Sequence, residues 1–303
     1  MRWFLYLVAA AFVAIILAAA SLGTIVAFAW PKLPSLEALT DYRPRIPLRI
    51  FSSDGHLLGE FGDERRAVVQ IEEVPESLKQ AILAAEDERF YEHPGVDPIG
   101  IARAAVANIV SGGRGQGAST ITMQVARNFY LTREKTYNRK LYEILLAFKI
   151  ERSLAKDQIL ELYINQIFLG HRAYGFATAA LTYFGKPIDE ITLAEAAMLA
   201  GLPKAPSAYN PITNLHRATI RQHYVLGRMR DAGFIDDATL EATKHVPVTI
   251  ASSRRSRRDV DGDYISEMAR QIAVEQFGED AYELGLRIIT TVRLEEQHAA
   301  QEV

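Results

Sequence analysis

Glu86-Asp87-Glu88-Arg89-Phe90-Tyr91-Glu92-His93-Pro94-Gly95, followed closely by Gly117-Ala118-Ser119-Thr120-Ile121-Thr122-Met123-Gln124, is the part of the chain that decides its reading. The first stretch closes a helical pattern that runs from Leu78 to Phe90 behind Pro75, a residue suited to a first helical turn. Glu86, Phe90 and His93 stand at i, i+4 and i+7, so one helical face is expected to carry all three. Taken alone, Glu86-Asp87 is a solvated helix end and His93 a satisfied structural residue. A glutamate beside a second carboxylate at the edge of an apolar helix can also be a general base with a raised pKa. The second stretch is a small-residue turn that opens another helix, on which Thr120, Gln124 and Arg127 share a face. That face is either plain polar surface or a set of contacts for anionic and sugar oxygens, to which an arginine fork is suited. Gly112-Gly113-Arg114-Gly115-Gln116-Gly117 lacks the GxxxxGK[ST] pattern and follows no clear strand, so it is no nucleotide loop. It reads as a mobile lid over a long groove.

Further along lie Arg139-Lys140-Leu141-Tyr142-Glu143 and then the run Lys156-Asp157-Gln158-Ile159-Leu160-Glu161-Leu162-Tyr163-Ile164-Asn165. Lys140 and Glu143 are i, i+3 neighbours, which by itself means a surface ion pair. Leu160, Tyr163, Ile164 and Ile167 make an apolar stripe that Gly170 can close, with Glu161 and Asn165 tying the helix to the site. Arg221, Val225, Leu226 and Met229 make a weaker fifth block. These five ordered blocks resemble the signature motifs of the peptidoglycan glycosyltransferases, glycosyltransferase family 51. The likeness is dense from about Pro47 to Gly233, and includes Ala180-Leu181-Thr182-Tyr183-Phe184-Gly185-Lys186 and Leu202-Pro203-Lys204-Ala205-Pro206-Ser207. Met123, Arg127 and Gln222 depart from it, since the family usually has glutamine, lysine and arginine there.

The resemblance implies a mainly α, lysozyme-like domain with a small β hairpin, polymerising lipid II into glycan strands. Glu86 would be the catalytic base and Glu143 the second essential carboxylate. Asp87 and His93 would position the base and hold its loop. Ser119, Thr120, Gln124, Arg127, Arg139 and Lys140 would bind substrate, the cations at the diphosphate. The resemblance requires no cofactor and leaves open a divalent metal, Mg²⁺ or Mn²⁺, at the diphosphate. The implied partners are lipid II, the growing lipid-linked strand, the membrane and other cell-wall synthesis proteins. The tail from Arg287 to Glu296 resembles the start of a penicillin-binding region, as in the bifunctional class A penicillin-binding proteins.

The 303 residues and 49% apolar content are weighted by the N-terminus. Trp3 to Trp30 is interrupted only by Ser21, Gly23 and Thr24. As a helix it would be roughly 42 Å long, against a hydrocarbon core of roughly 30 Å. That is about twice the apolar core of a cleaved signal peptide, so a retained anchor is expected over residues 3–30. Trp3, Tyr6 and Trp30 suit the two interfaces. Lys32, Arg43 and Arg45 outnumber Arg2, so the charge rule does not place the amino terminus inside; the family likeness does, with the catalytic part outside the cytoplasmic membrane. Residues 31–47 read as a juxtamembrane linker, 48–236 as the glycosyltransferase domain, and 237–303 as a linker and truncated start of a transpeptidase region.

Within that division, Leu48 to Phe61 alternates around Ser53-Asp54-Gly55 as a hairpin, Ala67 to Ile71 suits a strand, and so does Leu286 to Val292. Thr192 and Glu195 form a capping box, with Gly201 and Pro203 ending that helix. Tyr264 to Phe277 and Leu294 to Val303 read as helices. Ser252 to Asp259 reads as a solvated loop. After the anchor there remain 33 basic and all 37 acidic residues, which gives no electrostatic case for nucleic acid. Cysteine is absent, excluding disulfides and thiolate metal sites, and the seven histidines show no metal-ligand spacing.

Two other classes compete. A lytic transglycosylase or lysozyme-like hydrolase also uses a glutamate in a helical groove. It expels no lipid diphosphate, so Arg139-Lys140 and the anchor speak against it. A non-catalytic anchored scaffold would not require Glu86, Gln124, Lys140 and Glu143 together. Ser153-Leu154-Ala155-Lys156 fits the SxxK pattern of penicillin-binding domains, yet neither SxN nor KTG accompanies it, and Ser153 reads as a helix start.

Overall fold

The computed structural model describes residues 2–40, 47–62, 65–110, 119–131, 137–251 and 263–301. The lid expected at Gly112–Gly117 and the loop expected at Ser252–Asp259 lie outside them. In chain order the helices are α1 (Arg2–Ala29), α2 (Glu37–Thr40), α3 (Glu76–Glu86), α4 (Pro98–Val110), α5 (Ile121–Tyr130), α6 (Tyr137–Glu151), α7 (Lys156–Gln166), α8 (Phe176–Phe184), α9 (Leu193–Ala200), α10 (Leu215–Asp231), α11 (Asp237–Lys244), α12 (Asp263–Phe277) and α13 (Leu294–Gln301). The strands are β1 (Leu48–Phe51), β2 (Leu57–Phe61), β3 (Arg65–Arg66), β4 (Ala173–Tyr174) and β5 (Arg287–Ile289). The protein is mainly helical with small sheets, as expected.

The main core is where the site is built. Helix α5 packs on α6 and α7, and α3 packs on α9 and α10. Phe90, Tyr163, Phe176 and Tyr183 are fully buried there among Leu78, Ile82, Ile121 and Leu146. Phe90 lies in the turn after α3, Tyr163 on α7 and Phe176 on α8, so burial of these rings in one core helps fix the relative placement of those segments. The capping box at α9 forms as expected. Thr192 Oγ1 accepts from the Glu195 amide at 3.3 Å, and Glu195 Oε2 accepts from the Thr192 amide at 2.8 Å. Gly201 follows α9 for a steric reason: a Cβ there would stand 2.7 Å from Arg221 Cγ.

Three expectations change. Helix α3 stops at Glu86 rather than Phe90, because Asp87 turns out of the helix at φ −160° and ψ 75°. Glu86, Phe90 and His93 therefore do not share a helical face. Helix α7 ends at Gln166, with extended Ile167 as its cap, and Gly170 instead shapes the following turn at φ +88°. Among the described residues near Ala67 only Arg65–Arg66 forms a strand, pairing in parallel with β4. Beyond it, side chains replace a partner strand. Asn165 Oδ1 accepts from the Val69 amide at 3.0 Å while its Nδ2 donates to the Val69 carbonyl at 2.8 Å. Glu161 Oε2 accepts from the Ile71 amide at 2.8 Å. Glu161 and Asn165 thus tie α7 to this extended segment.

The hairpin forms as read, with β1 and β2 antiparallel, but β5 joins β1 in parallel to give the order β2-β1-β5. Leu48, Ile50 and Leu58 bury their side chains against Ala269 and Ala273 of α12 and against Ala281. A two-stranded hairpin is marginal alone, and its apolar face finds its cover in the C-terminal segment. The sequence groups the hairpin with the catalytic helices; its own core is instead shared with residues 263–289.

The described part of the segment after α1, up to Thr40, packs on the fold. Ala29, Leu33 and Leu39 enter the main core. Lys149 Nζ donates to the Pro34 carbonyl at 2.7 Å, and the Arg152 guanidinium lies 5.4 Å from the Trp30 ring centre. Among the described residues no helix is long and apolar enough to cross a membrane. Much of α1 has side chains outside that set, so the expected anchor is taken up below as a proposal.

Candidate active site

Glu86 ends α3 at the wall of a cleft of about 330 Å³, lined also by Gln124 and Arg127 from α5, Lys204 after α9, and Arg221 and Tyr224 from α10. Gln124 Nε2 donates to Glu86 Oε2 at 2.8 Å. Burial raises the Glu86 pKa above the ordinary glutamate value, and the Gln124 hydrogen bond and the charges of Arg221, Arg127 and Lys204 partly oppose this. The carbonyl end of α3 points the same way as burial, since a helix C-terminus disfavours negative charge. The result is a carboxylate with increased proton affinity, facing a cationic cleft.

Asp87 works in the other direction, into the fold. Its Oδ1 and Oδ2 lie 2.9 and 3.1 Å from His93 Nε2, and Oδ2 accepts from the Ile121 amide at 2.9 Å. His93 Nδ1 accepts from the Gly95 amide at 3.2 Å, which leaves Nε2 as the donor to Asp87. Thr120 completes the joint: its hydroxyl donates to the Gly95 carbonyl at 2.6 Å and accepts from the Met123 amide at 3.2 Å as the cap of α5. Gly95 has φ +97°, and a Cβ there would meet the Ala147 backbone at 3.0 Å. Asp87, His93 and Thr120 therefore fasten the start of α5 to the end of α3. That joint sets where Gln124 meets Glu86.

The Arg139–Glu143 block forms a second, adjoining cluster. Glu143 is only 2% exposed. Lys140 Nζ lies 3.0 Å from Glu143 Oε2 and donates to Ser119 Oγ at 2.8 Å. Arg139 Nε is 3.1 Å from Glu143 Oε1, within ion-pair range but not aligned for a hydrogen bond. Ser119 lines the cleft, so it brings Lys140 to the rim. Arg139, Lys140 and Glu143 do not themselves line the cleft around Glu86. Among the described residues no three acidic, histidine or cysteine side chains converge as a metal cage. Glu143 is moreover already taken by two cations, so the protein groups here do not fit a resident Mg²⁺ or Mn²⁺.

Several residues acquire a place that sequence patterns could not assign. Met123 is 1% exposed and packs in the core instead of facing the cleft. Arg221 is held by stacking, 4.3 Å from the Tyr224 ring and 5.8 Å from that of Tyr209. Glu88 pairs with Arg228 at 2.8 Å and Arg103 at 3.2 Å, a three-residue contact spanning 140 positions. Lys204 sits on a loop, where no periodic signal exists to point it at Glu86.

Lys156 is also accounted for. Its ammonium donates to the His93 carbonyl at 2.7 Å and to Glu151 Oε1 at 2.8 Å, and lies 4.4 Å from the Phe90 ring centre. Ser153 lies in the turn before α7 and donates to the Lys149 carbonyl at 3.1 Å, rather than starting the helix. Serine and lysine of this SxxK thus face different partners, and among the described residues the serine hydroxyl bonds a backbone carbonyl rather than a base. Fluorescent penicillin is expected to leave the purified chain unlabelled; stoichiometric labelling that disappears in Ser153→Ala would contradict the geometry.

A family model described as Transglycosylase matches residues 54–230. The chain belongs to the transglycosylase family. It is 53% identical over 277 residues to penicillin-binding protein 1A of Neisseria flavescens, covering 90% of this chain and 34% of that one. It is 45% identical over 302 residues to penicillin-binding protein 1A of Escherichia coli K12, covering 100% of this chain and 35% of the relative. The crystal structure of penicillin-binding protein 1A from Haemophilus influenzae superposes with a TM-score of 0.50 at 33% identity, over 86% of this chain and 28% of that chain. The chain spans about a third of the length of the curated relatives it matches. For this transglycosylase domain, the enzyme class read from the five motifs, peptidoglycan glycosyltransferase, stands.

Proposed function

We propose that this transglycosylase domain polymerises lipid II by inverting transfer, with Glu86 as general base. The observation that carries this reading is a Glu86 carboxylate of raised proton affinity, held by Gln124 in a cleft where the charges of Arg127, Lys204 and Arg221 act on it. The 4-hydroxyl of lipid II attacks the anomeric carbon of the lipid-linked strand and gives its proton to Glu86. The bond from that carbon to the diphosphate breaks, and its electron pair leaves with undecaprenyl diphosphate. That leaving group needs charge neutralisation rather than protonation. Arg127 in the cleft, and Arg139 with Lys140 at its Ser119 rim, supply the charge. Glu143 orders the latter two. Arg139 is 19% exposed and Glu143 2%, so a diphosphate would meet cations already held in place.

The α1 helix is proposed as a single-pass anchor in the cytoplasmic membrane, with the catalytic part on its outer side. Its 28 residues include only one charged side chain, Arg2. Packing of Leu33 and Leu39 into the core would hold the cleft close to the bilayer in which lipid II resides. Membership of a longer, bifunctional penicillin-binding protein, and partnership with other cell-wall proteins, are proposed from the names and lengths of the relatives.

The test is incubation of the full chain with labelled lipid II and sizing of the products. Long polymer is expected. Solubilised fragments from finished sacculi would support the lytic reading instead, and no product in either assay would support the scaffold. The diphosphate role has its own check. Lys140→Ala is expected to weaken binding of a diphosphate-bearing donor analogue about tenfold or more, the scale of a charge-assisted contact. A sugar lacking phosphate should bind nearly as before; equal loss for both would remove Lys140 from the diphosphate site.

A further inference from the structure

Glu86, Asp87 and Glu88 are consecutive, and the first two face the cleft and the fold. Glu88 has a third direction. Its Oε2 accepts from Arg228 Nη2 of α10 at 2.8 Å and from Arg103 Nη1 of α4 at 3.2 Å. All three residues line the cleft that holds Glu86. Two of them stand on firmly packed segments. Glu88 lies between buried Asp87 and fully buried Phe90. Arg228 belongs to α10, whose Ala218, Val225, Leu226 and Met229 enter the main core.

Helix α4 is held differently. Among its described side chains only Ala104 is buried, and none enters the main core. Ile99, Val106 and Ile109 are exposed. Gly100, Ile101, Arg103 and Ala104 nevertheless form a wall of the cleft. An element with so few buried apolar contacts gains little stability from packing, so polar ties place it. At its start, Asp97 accepts from the Ile99 amide at 3.1 Å and lies 3.4 Å from Arg89 Nη1. Further along the helix, the Arg103 guanidinium reaches Glu88.

We propose that Glu88 is a positioning residue for substrate binding: together with Arg228 it forms a fixed receptor for Arg103, and so sets α4 as a wall of the cleft. The magnitudes describe a wall that can yield. The Arg103 side chain is 47% exposed, and an ion pair so open to solvent shifts an equilibrium by about fivefold or less. The Glu88–Arg228 pair is shorter and its arginine is only 21% exposed, so it is the firmer half. Release of Arg103 therefore frees α4 while Glu86, Asp87 and α10 keep their packing. The described hydrogen bonds of the Glu88 side chain go to these two arginines, so it acts through them on where substrate is held.

The proposal rests on this cleft being the lipid II site, so one readout is independent of turnover. The chain has no cysteine. Val106→Cys on α4 and Ile220→Cys on α10, both exposed, accept nitroxide labels whose separation is read by pulsed electron resonance. The labelled full chain is expected to give a narrow distance distribution. Glu88→Gln is expected to broaden it, and so is Arg103→Gln, which leaves the Glu88–Arg228 pair intact. The charge swap Glu88→Arg with Arg103→Glu keeps two guanidiniums and one carboxylate, and is expected to narrow it again. An unchanged distribution in either single variant overturns the proposal, as does a folded swap protein that stays broad. In lipid II polymerisation, KM is expected to rise about two- to fivefold in each single variant, with kcat nearly unchanged, and to return in the swap. A KM that stays raised in the swap would mean direct contact with substrate and overturns the positioning role; a fall in kcat at constant KM overturns it too. If the variants broaden the distribution but even the parent chain makes no polymer, the placement of α4 by Glu88 stands and only the transferase reading fails.

Discussion

Glu86→Gln is expected to lower lipid II polymerisation by about a hundredfold or more, the usual scale for removing a general base. The amide keeps the shape of the side chain and can still accept from Gln124 Nε2, which lies 2.8 Å away in the parent. It cannot take a proton from the attacking hydroxyl. Because the carboxylate's pKa is raised chiefly by burial, the same substitution is expected to stabilise the fold near neutral pH. The sign follows from linkage. The folded state holds the Glu86 proton more tightly than the unfolded state, whose value is near 4.5. Stability is therefore intact below that value and is lost as pH rises through the folded pKa. Glutamine, which does not titrate, escapes the loss. The midpoint difference between variant and parent should be near zero in acid and grow with pH above about 4.5, levelling off past the folded pKa. Near-parental turnover by a folded Glu86→Gln protein would sink the base assignment. A stability difference independent of pH would mean that Glu86 is not perturbed by burial.

The sequence was a good guide wherever the signal was local. The capping box at Thr192 and Glu195 appears because its two reciprocal bonds involve residues three apart. The hairpin around Ser53-Asp54-Gly55 appears because alternation and turn chemistry are short-range. Legibility ended where a residue obeys a distant partner. Leu78 to Phe90 reads as one helix, but Asp87 leaves it to reach His93 and the Ile121 amide, 34 positions away. Ala67 to Ile71 has strand chemistry, yet its ladder is provided by the Asn165 side chain, 96 positions on from Val69. The apolar side of the hairpin was visible, but not that α12 and β5 would cover it.

The candidate site divides in the same way. Glu86, Gln124 and Arg127 could be nominated on motif and helical spacing, and they line one cleft. Arg139, Lys140 and Glu143 could be nominated too, and form one cluster at its rim. Lys204, on a loop, carries no one-dimensional pattern. Its place in the cleft with Glu86 exists only once α9 and α10 have packed against α3.

Asp87→Ala is the substitution expected to damage the fold most, by about 3–5 kcal/mol, the cost of breaking a buried charged contact from one side. Asp87 is 7% exposed, His93 3% and Ile121 0%. Truncation would leave two buried donors without an acceptor, His93 Nε2–H and the Ile121 amide, each a substantial penalty. The damage should reach catalysis, because the Ile121 amide is the start of α5 and Gln124 follows one turn later. Asp87→Asn is the sharper experiment. Its single oxygen can serve the Ile121 amide, but its amide group then faces the His93 Nε2–H, donor against donor. Moving the imidazole proton to Nδ1 relieves that contact and creates the same conflict with the Gly95 amide, now 3.2 Å from Nδ1. Neither tautomer satisfies the whole chain of bonds, so asparagine should recover less than half of the stability that alanine loses. Denaturant unfolding of the two variants measures this. Parental stability in Asp87→Asn would show that His93 is not held between Asp87 and Gly95 as a single tautomer, and the joint that sets Gln124 against Glu86 would have to lie elsewhere.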